Sequence, residues 1–124
     1  MTPEPTGASA VEQTIAAEVL RIHMDSYGTG AGAARAHLND DFVVVFLDDL
    51  ELQTSEQFLI GAGHGDSVVE VRRSYQQAIE TTFRAAVERA TGRRVISFIS
   101  ATKLDPNYVV EIFRLGSAVE RDGA

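Results

Sequence analysis

Phe42-Val43-Val44-Val45-Phe46-Leu47 runs six apolar residues without a polar interruption. Val, Phe and Leu in that density form a strand, and a strand with no alternation is one buried on both faces. That requirement constrains the rest of the chain. Either helices lie on both sides of the sheet, or a second subunit covers one side. The remaining elements are few, so a homodimer is the expected arrangement.

The other elements follow from periodicity and punctuation. Residues 9–26 form a helix, with Val11, Ile15, Val19 and Ile22 at four- and three-residue steps. Ser9 caps it, Glu12 completes a capping box, and Gly28 supplies the left-handed stop. A glycine-rich loop, Gly28-Thr29-Gly30-Ala31-Gly32, leads to a first strand at 34–38. Asn39-Asp40-Asp41 turns the chain into the apolar run. A short helix starts at Thr54 and ends near Gly61, with Gln57 closing its capping box. Asp66 opens a long helix to Ala90, striped by Val68, Val71, Tyr75, Ile79, Phe83, Ala86 and Ala90, with Gly92 as its stop. Two more strands, 94–102 and 108–115, are joined by Asp105-Pro106-Asn107.

The reading is a two-layer α+β fold. It has a four-stranded, mainly antiparallel sheet with one long and two shorter helices, in the order α-β-β-α-α-β-β. Residues 9–116 make a single domain. Residues 1–8 are a disordered N-terminal tail without signal-peptide character, and 117–124 a C-terminal tail.

Composition removes several functions. The chain has no cysteine, which excludes disulfides, thiolate metal sites and thiol nucleophiles. Its net charge of −7 gives no basic footprint for nucleic acid. No apolar stretch approaches the roughly 20 residues of a membrane span. A cytoplasmic protein without a cofactor or metal is expected.

Candidate chemistry is sparse. A phosphate cradle needs glycines between a strand and a helix N-terminus. Here the loop follows a helix and enters a strand, so it reads as a helix stop. His23, His37 and His64 lie on three different elements, without the spacing of a metal pair. A zinc site of the carbonic-anhydrase kind would require all three to converge. Asp40, Asp41, Asp48, Asp49 and Glu51 bracket the second strand, where acids commonly solvate and cap turns. Arginines Arg35, Arg72, Arg73 and Arg93 sit on the first strand and at the two ends of the long helix. If their guanidinium groups converge, they can bind a carboxylate, bicarbonate or phosphate. The competing reading pairs them with nearby acids, as Glu80 with Arg84 at i, i+4. Tyr75, Ile79 and Phe83 read as core, and no nucleophile elbow is present.

Many modest motifs in order resemble the MpsC-like family. They are Tyr27-Gly28-Thr29-Gly30, Ala34-Arg35-Ala36-His37-Leu38 and Asp41-Phe42-Val43-Val44-Val45-Phe46-Leu47, then Leu52, Thr54 and Glu56. Val71-Arg72-Arg73, Val87-Glu88, Thr91-Gly92-Arg93, Ser100, Asp105-Pro106 and Glu111-Ile112-Phe113-Arg114-Leu115 complete the set. The family's glycine loop carries Arg and Pro where this chain has Thr29 and Ala31. Gln53 stands where relatives have leucine. The resemblance implies a soluble companion of membrane proteins for ion or inorganic-carbon uptake, with transporter subunits as partners. Three functions follow in order: a non-enzymatic accessory or regulatory protein, an anion sensor lined by the four arginines, and an enzyme.

Overall fold

The computed structural model describes residues 8–118. Expectations for residues 1–7 and 119–124 lie outside that range. The elements are α1 (Ala10–Tyr27), β1 (Ala31–Asn39), β2 (Phe42–Leu50), α2 (Thr54–Gly61), α3 (Gly65–Ala78), α4 (Glu80–Thr91), β3 (Arg93–Leu104) and β4 (Asn107–Ala118). The fold is α+β, with one antiparallel sheet in the order β1-β2-β4-β3.

Helix α1 starts as its sequence requires. The Ser9 hydroxyl accepts from the Glu12 amide at 3.1 Å, and the Glu12 carboxylate accepts from the Ser9 amide at 2.8 Å. Ser9→Ala should cost about 1 kcal/mol, read from urea unfolding. A loss below a few tenths would mean that the cap does not hold α1. Gly28 ends the helix at φ 77°, and its amide donates to the Met24 carbonyl.

Several expected boundaries move. Ala31 and Gly32 belong to β1, so the glycine loop is only Gly28-Thr29-Gly30. Strand β4 runs on through Gly116 to Ala118, which removes the expected tail at 117 and 118. The second capping box is shifted by one residue. Gln53 is the N-cap, and Glu56 accepts from its amide at 2.9 Å. Gln57 instead donates to the Leu52 carbonyl.

The expected long helix is two helices. It breaks at Ile79 (φ −102°, ψ 7°), between α3 and α4. Three of the four residues from Ile79 to Thr82 are β-branched, which weakens helix propagation there. The break also corrects the expected apolar stripe. In α4 the buried residues are Phe83, Ala86 and Val87. In α3 they are Val68, Arg72 and Gln76, while Val71 is 54% and Tyr75 44% exposed. Helix α3 therefore turns a largely polar face inward.

The core lies between the helices and one face of the sheet. Ile15, Val19 and Ile22 of α1 and Phe83 and Val87 of α4 meet Val43, Val45 and Leu47 of β2 and Val109, Phe113 and Leu115 of β4. Phe83, Phe98 and Phe113 form an aromatic knot, with ring centroids 5.1 to 6.4 Å apart. Asp49 adopts φ 55°, a conformation that Asp tolerates better than most residues. Both Leu47 and Leu50 are buried on either side of it.

Among the described residues, no helix lies over the opposite face of the sheet. Phe42, Val44 and Phe46 of β2 pair across β4 with Arg114, Ile112 and Val110, and all except the exposed Arg114 are only partly buried. Ile99 of β3, opposite Ile112, is 59% exposed. The expectation of a second strand buried on both faces therefore holds for one face within a single chain.

Candidate functional site

The inward polar face of α3 builds a cluster under the helices. Arg72 is 1% exposed and meets Glu56 of α2 through two parallel bonds, Nε to Oε2 at 2.7 Å and a terminal nitrogen to Oε1 at 2.9 Å. Its guanidinium carbon stands 4.7 Å from the centre of the Tyr27 ring. The Tyr27 hydroxyl donates to the Arg72 carbonyl at 3.0 Å and accepts from the Gln76 amide nitrogen at 2.8 Å. Gln53 donates to the Tyr27 carbonyl at 2.6 Å, which ties α2 to the end of α1. The ring of His23, one turn earlier in α1, lies 4.3 Å from that of Tyr27.

Burial sets the protonation states. It pushes the Tyr27 phenol well above its usual range, with Arg72 only partly opposing. It pushes His23 down to about 4, reinforced by the Arg72 charge. Burial works against the Glu56 carboxylate, but its bonds to Arg72 and to the Gln53 amide win, and the group titrates below its ordinary value. At neutral pH, Tyr27 and His23 are thus uncharged and the Arg72–Glu56 charges are matched.

Glu111 completes the interior set. It sits on β4 between Val109 and Phe113, facing the helices, and is fully buried. Neither carboxylate oxygen has a hydrogen-bond partner among the described residues. Burial raises it to about 8. The hydroxyl of Ser100, its cross-strand neighbour on β3, pulls slightly the other way without reaching hydrogen-bond geometry.

The four expected arginines do not share one cavity. Arg35 pairs with Asp48 at 3.1 Å and lies over the Phe46 ring on the open sheet face. Arg73 is exposed, 3.8 Å from Glu70. Arg93 donates to the Gly116 carbonyl at 3.0 Å and to the Asp40 carbonyl. Arg72 alone is interior, and Glu56 occupies its fork. Arg84 pairs with Glu80 at 2.6 Å, as the spacing implies. Of the bracketing acids, Asp41 meets Arg114 at 3.0 Å, and Glu51 accepts from the Gly30 amide.

The histidines also stay apart. His23 is in the core, His37 is exposed on β1, and His64 precedes α3. Among the described residues, no group of three or more His, Cys, Asp or Glu side chains could hold a metal ion. No described helix is long and apolar enough to cross a membrane.

Sequence reasoning singled out Arg72 but missed Tyr27, Glu56, Gln76 and Glu111 as its companions. Two signals could have found them. Glu111 stands at an inward position of the alternation Val109, Phe113, Leu115. Arg72 and Gln76 follow Val68 at successive four-residue steps.

The fold and its cluster define a small α+β domain built around interior ion pairing, with a bare sheet face. Residues 8–117 match the family model described as "Na+-translocating membrane potential-generating system (MpsC)", and the chain belongs to that family. No curated protein and no solved structure matches it.

Proposed function

We propose that the protein is a non-enzymatic, soluble, cytoplasmic accessory or regulatory subunit of a membrane ion or inorganic-carbon uptake system, and that it works as a homodimer. The observation that carries this reading is the open sheet face. Its chemistry is that of a protein interface, with an apolar centre and a charged rim. Val44, Phe46, Val110 and Ile112 form the centre, and Ile99 stands beside them, 59% exposed.

A second copy suits this face. Arg35 and Asp48 pair within it, as do Arg114 and Asp41, and Lys103 and Asp49 offset each other. The whole chain carries −7, so this is a surface where two copies do not repel. Four strands about 4.8 Å apart and about 24 Å long give a footprint of roughly 450 Å² per copy. Side-chain relief brings the total to about 1,000 Å² or more, where specific interfaces begin. Two such sheets pack face to face at about 10 Å.

The link to an ion-translocating system is supported by the family description. The inorganic-carbon part rests on the resemblance of the motifs alone. The anion-sensor alternative needs Arg35, Arg72, Arg73 and Arg93 to converge, and each has a partner of its own, so the accessory reading is the better supported.

Light scattering should give twice the chain mass of 13.4 kDa. Phe46→Glu combined with Ile112→Glu should return a monomer with unchanged far-UV dichroism. A monomeric parent protein rejects the dimer. For the accessory role, crosslinking in membranes should enrich transmembrane subunits of an ion transporter, identified by mass spectrometry. Enrichment of none rejects that role.

A further inference from the structure

Between α3, β3 and β4 the interior holds more acceptors than donors. Both Glu111 carboxylate oxygens, the Gln76 side-chain carbonyl and the Ser100 hydroxyl oxygen are buried and lack hydrogen-bond partners. The three residues are neighbours. Ser100 and Glu111 are paired across β3 and β4, and Ser100 and Gln76 line the same two cavities, of about 150 and 240 Å³. Of the nearby donors, the Ser100 hydroxyl is unengaged and two others are taken. The Gln76 amide nitrogen goes to the Tyr27 hydroxyl, and that hydroxyl's proton goes to the Arg72 carbonyl. The Arg72 and Glu56 charges satisfy each other, and His23 is held neutral.

Buried oxygens of this kind call for something positive between them. A proton on Glu111 and the hydroxyl proton of Ser100 serve one contact each. A cation serves the three side chains together. With a single carboxylate, a monovalent ion leaves the site neutral, whereas a divalent ion leaves a net positive charge in the core. The geometry points to a site for one hard monovalent cation, sodium or potassium, held by the Glu111 carboxylate, the Ser100 hydroxyl and the Gln76 carbonyl. The two cavities reach the Ser100 and Gln76 side of it. Arg73 and Glu80 stand on their walls, each ion-paired along its own helix with Glu70 and Arg84. This inference does not depend on the dimer or on a transporter partner.

The test is thermal unfolding of the whole chain at pH 8.5 and constant ionic strength, exchanging tetramethylammonium chloride for sodium or potassium chloride. Tetramethylammonium is too large to enter and cannot be ligated. The expected result is a saturable rise in the midpoint of about 5 °C with at least one alkali cation. Glu111→Gln, which mimics the protonated side chain, should show no such rise. Ser100→Ala, a small change, should require a several-fold higher cation concentration for the same shift. Equal midpoints in all three salts overturn the site. So does an equal response in Glu111→Gln, which would mark a bulk salt effect. A response to magnesium matching that to sodium overturns the monovalent assignment.

Discussion

Arg72→Ala lowers the stability of this domain by about 3–5 kcal/mol, the loss associated with breaking a buried ion pair from one side. The guanidinium is 1% exposed and makes two bonds to Glu56. Its removal leaves a mostly covered carboxylate without its cation and uncovers one face of the Tyr27 ring. For a domain of this size the melting midpoint should fall by roughly 10–20 °C. Arg72→Lys should recover only part of this, because an ammonium cannot reproduce the fork. Arg72→Met combined with Glu56→Gln should recover most of it, because no unpaired charge remains. Urea unfolding of the parent protein and the three variants decides the matter. A loss under about 1 kcal/mol for Arg72→Ala would mean that water replaces the pair freely.

The second large effect is on pH. Glu111 moves from 4.5 in the unfolded chain to about 8 in the fold, and His23 from 6.5 to about 4. Between pH 4.5 and 6.5 the fold holds an extra proton on Glu111 and the unfolded chain an extra one on His23. The two slopes cancel, and these groups leave stability level. From 6.5 to about 8 only the Glu111 proton differs, so stability falls with rising pH by about 1.4 kcal/mol per unit, roughly 2 kcal/mol in all. Glu56, held below its ordinary value, contributes stability that is lost only as the medium becomes more acidic than 4.5. In a buffer free of alkali cations, Glu111→Gln should abolish the fall above 6.5 and expose the His23 slope, with stability rising from pH 4 to 6.5. His23→Leu should do the reverse and start the fall at 4.5. Parallel curves for the parent protein and Glu111→Gln would mean that Glu111 is hydrated in the fold.

Much of the architecture was legible in the sequence because it rests on local chemistry. The Ser9-Glu12 box, Gly28 and the apolar run at β2 each act within a few residues. The break at Ile79 was not legible. A continuous apolar spacing from Val68 to Ala90 matches one long helix, and only the sheet beneath selects Arg72 and Gln76 over Val71 and Tyr75. The interior cluster was hidden for the same reason. Tyr27 and Gln76 are 49 positions apart, and Arg72 and Glu56 are 16 apart. Arginine at an element end looks like a surface charge until its acid is seen to come from another helix.

The sheet order β1-β2-β4-β3 also decides how the domain holds together. Each hairpin is local, but a lone two-stranded hairpin is marginal in water. The central seam joins β2 to β4, with Val45 opposite Glu111, about 66 residues further along the chain. Neither half of the molecule has a complete core without the other, since Val43 and Val45 come from one hairpin and Phe113 and Leu115 from the other. The fold is therefore all-or-none. A cut in the connection between α2 and α3 would leave two fragments, each with half a sheet and half of the core.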